Sequence, residues 1–188
     1  MSLRLARPSP EHLRSLAHRA VSDSLTYEPV GISAMAEPPK GYRLDRWRRD
    51  IGRDRDVFER ARAALQNWRV HEGAGLRVEA DRPPTVGGIV AMAAPLPVGF
   101  IEVVCRVVDV VDEPDRCGFV YGTLSNHPEQ GEESFMTSRS ADGAVTFEIV
   151  AVHRPRQVLA RAFPPVARRL QINATNRYFD AMRAAVEP

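Results

Sequence analysis

The sequence predicts an α+β fold: a curved antiparallel sheet of about six or seven strands wrapped around a long C-terminal helix. Two observations predict it. From Arg77 to Val152, short apolar or alternating runs follow one another, separated mostly by Pro, Gly or Asp. No helical segment lies between them, so the strands join as hairpins and the sheet is antiparallel. The chain then returns to helical period over 165–186, and a sheet with one apolar face must be covered by something. The terminal helix is the obvious cover.

The elements follow in order. Ser9 precedes Pro10, an N-cap with proline at the first helical position, and 10–21 places Leu13, Leu16, Ala17 and Ala20 on one face. Residues 22–41, rich in Pro, Gly and Ser, read as a long loop. The stretch 42–51 has weak alternation and is a possible first strand. Asp54 or Asp56 caps a helix that runs to 68, with Val57, Ala61, Ala64, Leu65 and Trp68 as its apolar stripe. Strands are expected within 77–80, 85–94, 98–111, 117–124, 133–140 and 144–152. A short helix is expected at about 156–163. Pro165 then opens the last helix, with Val166, Leu170, Ala174, Tyr178, Ala181, Met182 and Ala185 facing inward. Residues 1–188 are read as one domain with an N-terminal helix and loop extension over 1–41.

Asp142-Gly143 is the sequence class of a two-residue type I′ hairpin turn. That turn fixes the expected register. Ser134, Met136, Ser138 and Ser140 stand opposite Ala151, Ile149, Phe147 and Val145, and Glu132 stands opposite His153. Short serines facing large apolar residues leave space, which points to an interior cavity. Its expected lining is Tyr121, Ser134, Met136, Ser138, Phe147, Ile149 and Tyr178, with Glu132 and His153 near the mouth.

Composition narrows the classes. The chain of 188 residues is 44% hydrophobic and 27% charged, ordinary for a globular protein. No run approaches a membrane span and the N-terminus has no continuous apolar core, so the expected location is the cytoplasm. Cys105 and Cys117 are read as buried, unpaired small hydrophobes. Of 26 basic residues only Lys40 is a lysine. Charge is uneven: net +5 over 40–69, −7 over 100–150 and +5 over 154–188. Acidic residues interrupt the basic stretches, so no nucleic-acid partner is expected.

The densest chemistry is YGTLSNHPEQGEESF at 121–135. It is followed by Asp142-Gly143, Arg154-Pro155, Leu170-Gln171 and Arg177-Tyr178, and LTYEPVG at 25–31 precedes it. Together these resemble the uncharacterised bacterial and plant family DUF1990. The resemblance spans nearly the whole chain. It implies a START-like, birch-pollen-allergen-like helix-grip fold enclosing a cavity for lipids or other apolar ligands, with no established activity.

Three functions are weighed. One is binding of an apolar or amphipathic small molecule between sheet and helix, with Glu132 and His153 orienting its polar end. The second is an enzyme of cyclase, hydrolase or isomerase type, in which Glu132, His153 and His127 are the candidates for proton transfer. The third is an interaction module docking an acidic partner on an arginine-rich face. His127-Pro128-Glu129 also reads simply as a turn. His127 with Glu132 or Glu133 lacks metal-site spacing, and no cofactor motif is present, so neither metal nor cofactor is expected.

Overall fold

A computed structural model describes residues 2–156 and 164–187. The strands are β1 (Ser2–Arg4), β2 (Arg43–Arg53), β3 (Arg77–Glu79), β4 (Ile89–Pro95), β5 (Phe100–Glu113), β6 (Arg116–Thr123), β7 (Glu129–Arg139) and β8 (Ala144–Pro155). The helices are α1 (Pro10–Arg19), α2 (Asp54–Gln66), α3 (Arg69–Gly73) and α4 (Pro164–Val186). All strand pairs are antiparallel, in the order β2-β8-β7-β6-β5-β4-β3, with β1 added beside β5. The fold is a helix grip. Among the described residues, no helix is long and apolar enough to cross a membrane.

The weak 42–51 run is a full strand, at the edge of the sheet and paired along its length with β8. Its alternation is blurred because β2 is covered on one face only in part: Asp45 is buried, while Arg46, Arg48 and Arg49 are exposed. The helix expected to reach residue 68 divides in two. Trp68 takes a left-handed conformation, φ 58°, and restarts the chain as α3. The short helix expected at 156–163 lies outside the described residues. Ser9 caps α1 as expected, its hydroxyl accepting the backbone N–H of His12 at 3.2 Å.

The two faces of the sheet have different covers. Phe119, Phe135, Val145, Phe147 and Ile149 face a core completed by Phe58 and Leu65 of α2, Val70 of α3 and Tyr178, Phe179 and Met182 of α4. On the outer face, Leu13 of α1 packs on Ala91, Ala93 and Val104. The loop after α1 lays Tyr27 and Ile32 on Val152.

The charge blocks found in the sequence meet each other. Arg53 pairs with Asp142 at 3.2 Å and Arg55 with Asp115 at 3.7 Å. Arg62 pairs with Asp112, and Arg139 with Asp115 at 2.6 Å. Three arginines of the basic stretch, Arg53, Arg55 and Arg62, are thus matched by the acidic one within the fold.

The β7–β8 turn corrects the expected register. Only Gly143 of the turn has positive φ, at 86°, whereas a type I′ turn needs two such residues. Gly143 N–H donates to Ser140 O and Ser140 N–H to Ala144 O, each at 2.9 Å, closing a three-residue loop. The extra residue shifts the pairing by one: Phe135 stands opposite Ile149, Thr137 opposite Phe147 and Glu133 opposite Ala151. A one-residue slip turns every side chain of a strand to its other face. Ser134, Met136 and Ser138 therefore lie on the outer face, and the serine-lined cavity expected from the sequence is not there.

Candidate functional site

The same slip separates the expected Glu132–His153 pair. Glu132 pairs in register with Val152 and points outward. It is 2% exposed, and its carboxylate accepts from Tyr27 Oη at 2.7 Å, Gly31 N at 2.6 Å, Ser33 N at 2.9 Å and Ser33 Oγ at 2.8 Å. Every acceptor site is occupied by the 27–33 segment, so Glu132 is a clamp that holds the loop to the sheet. Gly122, its partner on β6, makes room: a Cβ there would lie 2.2 Å from Tyr27 Oη.

His127 likewise serves a turn. Its Nδ1 lies 3.1 Å from Glu129 N and 3.0 Å from Glu129 O, and it is held neutral, its pKa lowered mainly by burial.

His153 faces inward, at the end of the sheet where α4 crosses. Its Nε2 is 3.1 Å from Asp45 Oδ2 and 2.9 Å from Gln171 Nε2 of α4, and its Nδ1 is 3.2 Å from Glu129 Oε1. Burial alone lowers its pKa, but the Glu129 and Asp45 carboxylates outweigh burial and leave it raised. Burial raises Glu129 in turn, and the His153 ring overcomes this and holds its carboxyl below the usual range.

Glu133, one residue from the expected position, is the carboxyl that enters the interior. Tyr121 Oη donates to its Oε2 at 2.8 Å, and Oε1 has no partner among the described residues. Glu133 remains partly reached by solvent. Burial pushes its pKa up to about 7, with Glu129 adding to the rise and Tyr121 and His153 opposing it.

Behind it lies a ring cluster. Tyr121 and Phe135 have centroids 5.5 Å apart, Phe135 and Tyr178 5.1 Å, and His71 of α3 sits 4.6 Å from Phe135 and 5.0 Å from Tyr178. His71 is fully buried, and burial pushes its pKa down to about 3, so it stays neutral. Its Nε2 lies 3.4 Å from Tyr121 Oη, and Nδ1 has no hydrogen-bond partner among the described residues. Burial raises both phenols, Tyr121 and Tyr178, so they keep their protons.

Of the residues expected to line a site, Tyr121, Phe147, Ile149, His153 and Tyr178 thus share the inner face, and Glu132, Ser134, Met136 and Ser138 the outer one. Glu133 was legible from strand alternation had the turn been read as three residues. His71 and Asp45 carried no sequence signal, since a single histidine or aspartate in a polar stretch is commonplace. A separate cleft of about 70 Å³ lies between Leu65, Pro83, Pro84, Val110, Cys117 and Phe119, well short of a metabolite pocket. Among the described residues, no group of three His, Cys, Asp or Glu side chains has the arrangement to hold a metal ion.

A family model described as "Domain of unknown function (DUF1990)" matches residues 26–181. The chain belongs to the DUF1990 family. The match takes in both Tyr27 and Glu132, so the two stretches of DUF1990 resemblance are the two halves of the loop clamp. Relatives bear the name UPF0548 protein. One from Deinococcus radiodurans is 30% identical over 185 residues, covering 93% of each chain, and one from Arabidopsis thaliana is 27% identical over 127 residues, covering 64% of this chain and 62% of its own. Solved structures share the fold at low identity. The ginseng major latex-like protein 151 from Panax ginseng has a TM-score of 0.51 at 12% identity, covering 79% of this chain and 99% of its own. Ara h 8.0201 has 0.53 at 12%, covering 78% and 98%. A hypothetical protein from Helicobacter pylori has 0.57 at 7%, covering 87% and 98%.

Proposed function

We propose that this DUF1990 protein binds a small apolar or amphipathic molecule between the sheet and α4, at the end marked by Glu133, Tyr121, His153 and Gln171. Glu133 takes the part expected of Glu132 and meets the polar end of the guest. The observation that carries this reading is Glu133 itself. A carboxyl on the ring-lined inner face, with one oxygen unpartnered and some access to solvent, is costly to keep unless something uses it.

The ring cluster is in mutual contact, so a guest enters by moving part of the cover. Of the described side chains of α4, Gln171 meets His153 of the sheet, and Phe179, Met182 and Val186 anchor the later turns in the core. Tyr178, Phe135 and Ile149 then supply the apolar wall.

The test combines uptake with position. Mass spectrometry of a solvent extract of the purified protein should show a stoichiometric apolar compound, or the ligand-free protein should bind Nile red. Ala151→Phe, on the inner face opposite Glu133, should block uptake, and Ser138→Trp, on the outer face, should not. An empty extract together with no dye uptake overturns the reading, as does equal loss in both variants.

A further inference from the structure

We infer that the guest carries an ammonium group, seated against the Glu133 carboxylate and the neighbouring rings of Tyr121 and Tyr178. This deepens the proposed binding site and rests on it.

The first ground is charge. Three carboxylates, Asp45, Glu129 and Glu133, gather at this end of the inner face. His153 bridges the first two at 3.1 and 3.2 Å, and Arg43 Nε lies 3.0 Å from Asp45. Among the described residues no cation pairs with Glu133; the His153 ring acts on it only from a distance and is itself bridged to Asp45 and Glu129. His71, the nearest imidazole on the helical side, is held neutral by complete burial. Cys105 of β5 and Tyr178 of α4 also face Glu133, and burial raises both, so neither carries a charge that helps it. His127 is neutral as well. Of the three carboxyls, Glu133 is the one that no described cation pairs with, and it becomes negative as pH rises through about 7.

The second ground is hydrogen bonding, and it is independent of charge. Tyr121 spends its one proton on Glu133, so its oxygen can only accept from His71. His71 must then present Nε2–H to Tyr121, which leaves Nδ1 a bare acceptor, fully buried and without a described partner. Glu133 Oε1 thus lacks a protein donor where solvent still reaches it, and His71 Nδ1 lacks one where solvent does not.

A guest that supplies donors and positive charge answers the deficit at Glu133, and aromatic rings are common surroundings of a bound ammonium. A carboxylate or phosphate guest would instead set like charge beside Glu133 and Glu129. The inference thus separates this site from one built for fatty acids.

The experiment uses the intact protein and three probes of equal chain length: octylamine, octanol and octanoate. Dissociation constants are measured by calorimetry at pH 6 and pH 8. Octylamine should bind about tenfold or more tighter than octanoate at pH 8. Its affinity should rise by up to about tenfold from pH 6 to pH 8, as a group titrating at about 7 ionises. Glu133→Gln should remove that rise, with a melt confirming that the variant folds. Equal affinity for all three probes, or tighter octanoate, overturns the inference while leaving the binding site intact. No binding of any probe overturns both. An amine affinity in the parent that does not change with pH overturns the role of Glu133 without any variant.

Discussion

Glu132→Gln tests whether the acidic motif at 121–135 is a clamp or part of a binding site. The parent carboxylate takes two donors on each oxygen: Tyr27 Oη and Gly31 N on Oε1, Ser33 N and Ser33 Oγ on Oε2. The amide has one acceptor oxygen. Whichever way it lies, its NH₂ meets a backbone N–H, of Gly31 or of Ser33, and strands that donor in a buried place. The loss of charge assistance plus one unsatisfied N–H comes to about 2–3 kcal/mol. For a chain of this size that lowers Tm by about 5–10 °C. Urea unfolding and a thermal melt read both quantities. Loss of stability within about 0.5 kcal/mol of the parent, the usual range for a surface substitution, would refute the clamp. Retained stability with lost dye binding would return Glu132 to a ligand-contacting role.

Other predictions rest on the same geometry. Gly122→Ala should destabilise by about 1–3 kcal/mol through overpacking against Tyr27, and its effect should not add to that of Glu132→Gln, because both act through the same loop. For Glu133, the folded pKa of about 7 lies above its ordinary 4.5, so its contribution to stability is full below 4.5 and is lost as pH rises through 7. Glu133→Gln should therefore gain stability relative to the parent at pH 8 and not at pH 4.5, in urea unfolding at the two values; an equal offset at both would contradict the raised pKa. His71 opposes this, its pKa lowered from 6.5 to about 3, so its contribution is lost as pH falls below 6.5; being present in both proteins, it cancels in the comparison. Cys105 and Cys117 are buried, with thiols pushed up by burial, so Ellman's reagent should label neither in the native protein and both in urea. Rapid native labelling would contradict the packing of the inner face.

The fold class was legible because its signals are long. Hairpin-spaced apolar runs and a terminal helical stripe survive any single misread turn. The site was only partly legible because it hangs on one turn. Asp142-Gly143 fits two hairpin loops that differ by one residue, and the choice between them depends on φ at Asp142, which local composition does not set. Reading the shorter loop turned β7 over, exchanging Glu133, Phe135 and Thr137 for Glu132, Ser134 and Ser138. Residues assigned from other elements, Tyr121, Phe147, Ile149 and Tyr178, fell on the inner face because their own alternation or helical spacing places them. Edge strand β2 and the break at Trp68 were obscure for a similar reason. Their local patterns are overridden by tertiary contacts, the pairing of β2 with β8 and the packing of Trp68 into the core. The clamp at Glu132 joins residues about a hundred positions apart, which no window on the sequence brings together.

The inner-face location of the guest is most directly tested by intermolecular NOEs from 1-octanol to methyl and ring protons of the protein. Contacts to Ile149, Ala151 and Tyr178, with none to Val150 or Met136, are the expected result. NOEs confined to Val150 and Met136, on the opposite face of the same strands, would contradict it.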